Sequence, residues 1–217
     1  MSRADPLWLH DCRAYVVQAD LGEECRTRLA AVQERLSGVL DGTVECPPAS
    51  LHVTVAVLLS VRRDYPSSKD TLWELWGRHW GEELRYLADR LPRFELRFDR
   101  LEVSETAVIA LAARVPVIDV FRRRAAVLQR AAGIASYQPS IVHCTLLRYA
   151  RSGLELSELA LVAAGARCRA RSLVAHLTVR RERVYPNVVS DDLDRLLLGG
   201  GQPSPGHPPA RSRAAGP

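Results

Sequence analysis

Three short segments of the sequence place a histidine and a threonine two positions apart within an apolar run. They are SLHVTVAVLL with His52 and Thr54, SIVHCTLLRY with His143 and Thr145, and LVAHLTVRRE with His176 and Thr178. Side chains two apart on a β-strand point to the same face of a sheet. Each segment therefore predicts a strand that presents one imidazole beside one hydroxyl, on the face opposite its buried aliphatic residues.

This pairing suits acid–base chemistry on a phosphate. An imidazole titrates near neutral pH and can accept or donate a proton, and a threonine hydroxyl can hold an anionic oxygen. If two such pairs face one another, one histidine can take a proton from the nucleophile while the other gives one to the leaving oxygen. That chemistry needs no metal. The sequence also has no clustered metal-ligand motif, no glycine-rich phosphate loop and no G-x-S-x-G elbow, so we expect neither metal nor cofactor.

The elements that must position these pairs alternate between strand and helix periods. We predict strands at AYVVQA, SLHVTVAVLLS, RFELRFDRLEVSE, AVIALAARV, SIVHCTLLRYA and RSLVAHLTVRRERVY. We predict helices at LGEECRTRLAAVQERLSGVL, TLWELWGRHWGEELRYLADRL, PVIDVFRRRAAVLQRAAG, LELSELALVAAG and SDDLDRLLL. Strand–helix–strand occurs twice, and each first strand is followed about 35–40 residues later by a His-x-Thr strand. This weak internal repeat predicts two similar lobes about a shared groove, with one motif from each.

Length and composition indicate one globular domain. The chain has 217 residues, of which 47% are hydrophobic and 25% charged, enough to build a core. We assign residues 1–198 to a single domain of two lobes. Residues 199–217 are rich in Gly, Pro, Ser and Ala and predict a disordered tail, which holds His207.

Cysteine usage and the chain start bear on the compartment. Five cysteines are scattered singly without a C-x-x-C motif, which indicates reduced thiols in the cytoplasm. The start, MSRADPLWLHDCR, is charged, and no apolar run reaches a membrane-spanning length. We therefore expect neither a signal peptide nor a membrane partner.

The net charge is +5 and comes almost wholly from arginine, because Lys69 is the only lysine. A basic face suits a phosphate-bearing ligand. An arginine bias along the whole chain is also what genome composition alone would produce. Charge therefore leaves nucleotide or nucleic-acid binding open.

At the first two motifs the chain resembles the 2H phosphoesterase superfamily, which includes RNA 2′,3′-cyclic phosphodiesterases and 2′-5′ RNA ligase-like proteins. The matching stretches are LHVTVAVL and VHCTLLRY. The second is the closer match, because the family often continues after the threonine with Leu and then Arg. The resemblance covers the chain apart from its tail. It implies a two-lobed, pseudo-symmetric α+β fold in which antiparallel sheets flank a central groove and helices lie outside.

Carried over residue by residue, the resemblance implies that His52 and His143 are the catalytic pair. Thr54 and Thr145 would then bind the phosphate. The family's usual chemistry makes His143 the general base and His52 the general acid, with the roles exchanged in the reverse reaction.

Further candidates for substrate contact follow the two motifs. Arg148 comes after the second, although strict alternation puts it on the face opposite His143 unless the strand bulges. The remaining candidates are Tyr149, next in the chain, and Arg62 and Tyr65, in the polar loop after the first motif.

Other notable residues have plainer interpretations. The third pair, at His176, is followed by the charged VRRERVYP and falls where the family has a closing strand without a motif, so we place it outside the site. The helical spacing of Trp73, Trp76 and Trp80 predicts a core stripe. We expect the run Arg122-Arg123-Arg124 on the exposed side of a helix.

The resemblance implies a metal-independent phosphoesterase that acts on a 2′,3′-cyclic phosphate or a 2′-5′ phosphodiester of RNA or a nucleotide, working as a cytoplasmic monomer. Three alternatives stay open: a non-hydrolytic protein that binds RNA ends or cyclic nucleotides, a 2H enzyme for a small-metabolite phosphodiester, and a purely structural domain. The last survives only if the pairs do not face one groove. The sequence does not decide the natural substrate, the bond cleaved, hydrolase or ligase direction, the acid and base assignment, oligomeric state, or the role of residues 60–91.

Overall fold

Two antiparallel β-sheets with helices against them are built from residues 1–199, the part of the chain that this computed structural model describes. The strands are β1 (Asp11–Asp20), β2 (Thr43–Glu45), β3 (His52–Leu59), β4 (Phe94–Val103), β5 (Ala107–Ala112), β6 (His143–Tyr149), β7 (Ala170–Val174), β8 (His176–Val184) and β9 (Val189–Leu197). The helices are α1 (Glu23–Ser37), α2 (Lys69–Ala88), α3 (Pro116–Ala131) and α4 (Leu156–Gly165), with one 3₁₀ turn at Pro48–Ser50. The predicted tail, apart from Gly199, and His207 lie outside the described residues.

Each sheet contributes one His-x-Thr strand. The first sheet has the order β3-β1-β8-β9 and carries His52 on its edge strand β3. The second has the order β2-β6-β5-β4-β7 and carries His143 on β6. Helices α2 and α3 contact the first sheet, and α1 and α4 contact the second. The expected α+β architecture with antiparallel sheets and outer helices is confirmed.

Helix α2 shows why the tryptophan spacing predicts core. The hydroxyl of Ser68 accepts a hydrogen bond from the backbone N–H of Thr71 and so caps the helix start. Trp80 is 1% exposed, and Trp73 stacks on Tyr15 of β1 with ring centroids 4.5 Å apart. Trp76 is partly buried against the same core. The stripe therefore fastens α2 to the first sheet.

Two predicted elements near the end of the domain are wrong. SDDLDRLLL is not a helix but most of β9, because it pairs antiparallel with β8 along its whole length and tertiary pairing overrides a modest local helix preference. RSLVAHLTVRRERVY is not one strand. It divides at Ala175 into β7, which pairs with β4, and β8, which pairs with β1, so the chain crosses from one sheet to the other there.

Within residues 1–199, no helix has the combination of length and hydropathy that crossing a bilayer requires.

Candidate active site

The two His-x-Thr pairs line one cavity of about 330 Å³. His52 and Thr54 reach it from β3, and His143 and Thr145 reach it from β6. Other lining residues come from β1 and β8 of the first sheet. The cavity therefore lies between the two sheets, and a small anion held there would meet both imidazoles.

The ring of His52 is held in one orientation by the turn that precedes its strand. Its Nδ1 lies 2.7 Å from the carbonyl oxygen of Ser50, so Nδ1 carries the proton and donates it. The other nitrogen, Nε2, lies 3.4 Å from the hydroxyl oxygen of Thr54. This tautomer leaves Nε2 as the nitrogen able to exchange a proton beside the threonine.

Both imidazoles are neutral at pH 7 in the free protein. Burial lowers the pKa of His52, and the nearby Arg180 lowers it further. Burial also lowers the pKa of His143 to about 4, with added repulsion from His52 and Arg148. Because the two rings repel one another when charged, the pair can hold one added proton far more readily than two.

A bulge in β6 brings Arg148 to the cavity. Across β5 the register changes from Val108 opposite Leu147 to Ile109 opposite Thr145, so β6 contains one extra residue. An extra residue reverses the alternation beyond it. Arg148 therefore faces the same side as His143 and lines the cavity.

Arg148 belongs to a buried charge cluster. The fully buried carboxylate of Asp5 accepts hydrogen bonds from Nη1 of Arg148 at 2.8 Å and from Nη2 of Arg62 at 2.6 Å. The hydroxyl of Tyr185 accepts from the same two guanidinium groups, at 2.9 Å and 3.0 Å. Two cations against one carboxylate leave excess positive charge, and Nε of Arg148 has no partner within residues 1–199.

Of the other residues expected to contact the substrate, one lines the cavity and two do not. Arg62 lines the cavity. Tyr65 does not, because its hydroxyl accepts the backbone N–H of Ser60 at 2.8 Å and its ring packs against the core. Tyr149 does not either: it follows the bulge on the core face, is 1% exposed, and donates to the carbonyl of Ser104. Neither tyrosine lines the cavity, and the contacts of both support the fold.

The third motif lies elsewhere on β8, outside the cavity. The hydroxyl of Thr178 donates to Asp20 at 3.0 Å, and Nη2 of Arg195 lies 3.2 Å from Nδ1 of His176. Together they border a separate surface depression. This agrees with the interpretation that excluded His176 from the site.

Sequence reasoning missed the residues that complete the edge of β3. Arg122 was expected on the surface but is 7% exposed, and that expectation is wrong. Its Nε donates to the carbonyl of Val55 at 3.1 Å, and its Nη2 donates to the carbonyl of Ile141 at 2.8 Å. These carbonyls lie one residue after Thr54 and two residues before His143. One guanidinium therefore ties the two motif strands together.

Two glutamines act on the same edge. The side-chain amide of Gln138 both accepts from the N–H and donates to the carbonyl of Val57, at 3.0 Å and 2.7 Å. Gln129 donates to the carbonyl of Leu58 at 2.9 Å. Because β3 is the last strand of its sheet, these side chains take the place of a missing neighbour strand. No residue-type signal distinguishes them from ordinary surface residues of a helix and a loop.

Comparison with known proteins gives a fold but no sequence relative. No protein-family model matches the sequence, and no curated protein matches it. Among solved structures, TT0787 of Thermus thermophilus is 18% identical with a TM-score of 0.63, over 87% of this chain and 100% of that one. E. coli LigT complexed with ATP is 17% identical with a TM-score of 0.57, over 87% and 99%.

A further structure, described as a phosphoesterase, is 17% identical with a TM-score of 0.59, over 87% of this chain and 99% of that one. LigT has also been solved with NADP+, 3′-AMP and phosphate. At these identities the likeness concerns the fold, and it agrees with the resemblance seen at the two motifs. The chain has the fold of the 2H phosphoesterases.

Proposed function

We propose that this protein is a phosphoesterase of the 2H type that acts on a 2′,3′-cyclic phosphate or a 2′-5′ phosphodiester of RNA or a nucleotide. The observation that carries the proposal is the meeting of two imidazole–hydroxyl pairs, from separate sheets, in one cavity. Arg148 adds a buried guanidinium to the lining of the same cavity. A cavity of this volume suits one small ligand, such as a nucleotide.

The chemistry needs only proton transfers and charge stabilisation. For a 2′,3′-cyclic phosphate, a water oxygen attacks phosphorus while His143 takes the water proton. The bond from phosphorus to one ribose oxygen breaks, and His52 gives that oxygen a proton. Thr54 and Thr145 donate hydrogen bonds to the non-bridging oxygens. The reverse reaction, closure of the ring with loss of water, exchanges the roles of the two histidines, whereas ligation replaces the water by a ribose 5′-hydroxyl and keeps them.

The neutral state of the free histidines fits this scheme. A bound phosphate places negative charge between the rings, which favours a proton on one of them. The partner imidazole then stays neutral because of the repulsion between them. Substrate binding would therefore give one protonated histidine, the acid, and one neutral histidine, the base. The neutral base is the form that burial favours in the free protein.

The proposal also covers the ligand, the oligomeric state and the cellular compartment. LigT has been solved with nucleotides, which supports a nucleotide or RNA end as the ligand here. Both motifs come from one chain, so a monomer would hold a complete site. All five cysteines are free thiols, which fits a reducing compartment such as the cytoplasm.

The test is turnover of the four nucleoside 2′,3′-cyclic monophosphates and of a 2′-5′-linked dinucleotide, with and without EDTA. We expect hydrolysis of at least one class at the same rate under both conditions. Product analysis by chromatography then identifies the bond cleaved. An absence of hydrolysis in every case, or its loss on adding EDTA, would contradict the proposal.

Replacing Arg122 by methionine should misalign the two motif strands. We expect kcat to fall by about 10²-fold with a smaller change in KM, because a shift of roughly 1 Å in a reacting group costs that much. Leaving two backbone carbonyls unpaired should also lower the free energy of unfolding by about 2 kcal/mol. Steady-state kinetics and urea unfolding measure the two effects.

The neighbour Arg123 is exposed and gives the matched control, since Arg123→Met changes neither strand. Arg122→Lys can reach one carbonyl at a time and should recover part of kcat. If Arg122→Met loses stability but keeps kcat, Arg122 is structural and does not position the site.

A further inference from the structure

The cavity extends well beyond the phosphate-binding groups. Gln18 of β1 pairs with Thr54, and Ala14 of the same strand pairs with Glu182 of β8. All four residues line the cavity. Four residues of strand correspond to about 13 Å. The far end of the cavity, which we define by Ala14, Glu182 and Pro186, is therefore about one nucleoside away from Thr54.

Glu182 is an unexplained buried acid at this far end. It is 6% exposed, and one carboxylate oxygen accepts the backbone N–H of Asn187. Its second oxygen has no hydrogen-bond partner within residues 1–199. Glu182 is one of the residues that line the cavity. Burial raises the pKa of Glu182 to about 7, while Arg148 and Arg62 act in the opposite direction.

The acid at the far end favours a flat ring with N–H groups as the ligand. A carboxylate oxygen repels a phosphate and accepts hydrogen bonds from amino and ring N–H donors. Apolar residues supply part of the wall nearby. They are Ala14, Val16, Val57, Val61 and Pro186. A pocket with apolar walls and a few placed polar groups is the usual form of a small-molecule site.

We propose that the far end of the cavity binds the nucleobase of the substrate, and that Glu182 selects bases with an amino group over uracil. Guanine, adenine and cytosine each offer an NH₂ donor to a carboxylate. Uracil offers one ring N–H flanked by two carbonyl oxygens, which a carboxylate repels. The proposal rests on the proposed function, because the position of the phosphate sets the distance to the base.

The test compares kcat/KM for the adenosine, guanosine, cytidine and uridine 2′,3′-cyclic monophosphates. For the wild-type protein we expect the uridine substrate to be poorer than the others by roughly 10-fold, the usual scale for one such contact. Glu182→Gln keeps an acceptor for Asn187 but presents an amide to the base. We expect it to lower kcat/KM for the amino-bearing substrates and to leave kcat/KM for the uridine substrate unchanged. The ratio of kcat/KM between the amino-bearing substrates and the uridine substrate should therefore fall towards one.

Glu34 lies exposed on α1, so Glu34→Gln is the matched control and should keep the wild-type preference. Equal kcat/KM for the four substrates, or an equal loss on all four in Glu182→Gln, overturns this proposal and leaves the proposed function standing. If the variant fails to fold, the comparison of kcat/KM for the four substrates in the wild-type protein still tests the proposal.

If no cyclic substrate is hydrolysed, the proposed function fails, and calorimetry with 3′-GMP and 3′-UMP still decides the base site. Tighter binding of 3′-GMP that Glu182→Gln loses would support it. Equal or undetectable binding of the two nucleotides would overturn it.

Discussion

Replacing either His52 or His143 by alanine should remove nearly all turnover of the cyclic phosphate substrate while the protein stays folded. One positioned acid or base is worth typically 10²–10⁴-fold in rate, so we expect kcat to fall by about that factor in each variant. Both residues line one cavity, and the proposed mechanism uses them in the same step. The double variant should therefore lose far less than the product of the two single losses.

The third motif supplies the control for this result. His176 has the same spacing to a threonine and also lies on a strand, but it borders a different depression. His176→Ala should keep kcat within about 2-fold of wild type, since it lies outside the cavity. Thermal unfolding of all three variants checks the fold. A large loss in His176→Ala, with activity kept in His143→Ala, would show that the wrong pair has been chosen.

Replacing Asp5 by alanine should destabilise the protein strongly. Its fully buried carboxylate is the anionic partner of Arg148, whose side chain is only 9% exposed. Removing one member of a buried pair leaves the other charge without compensation, which costs about 3 kcal/mol. The second pair, with Arg62, adds little because that side chain is partly exposed to water. Urea unfolding measures the loss, and Asp5→Asn should lose less because it keeps the side-chain shape.

An exposed pair gives the comparison for Asp5. Glu105 lies 3.9 Å from Arg3, and both side chains are mostly exposed. Glu105→Ala should change the free energy of unfolding by less than about 0.5 kcal/mol. If Asp5→Ala is no more destabilised than Glu105→Ala, then the tyrosine and solvent are enough to support Arg148, and the charge cluster has no structural weight.

Local periodicity was enough to predict the strands that carry the two motifs. The alternation around His52 and His143 separates a core face from a polar face, and both strands form as expected. The tryptophan spacing in α2 likewise identifies its buried side. These features depend on residues close in sequence, and a single sequence contains that information.

Features that depend on a neighbouring strand were not predictable in the same way. The local pattern of β9 predicts a short helix, and only β8 supplies the backbone partners that make it a strand. Arg148 reaches the cavity only because β6 bulges against β5. Asp5 comes from the chain start and meets Arg148 across a long sequence separation. The charge of Arg122 suggests an exposed position although its spacing from Ile118 and Ala125 puts it on the buried face of α3, because nothing local reveals the open carbonyls of the strand beside it.

The side-chain hydrogen bonds along the edge of β3 affect the tendency of this protein to self-associate. A sheet edge with free N–H and C=O groups is a template on which another chain can add a strand, and this is a common route to aggregation. On β3 the carbonyls of Val55, Val57 and Leu58 and the N–H of Val57 are already occupied by Arg122, Gln138 and Gln129. These three side chains therefore also hinder intermolecular strand addition, so losing them would expose the protein to self-association at the edge that carries His52.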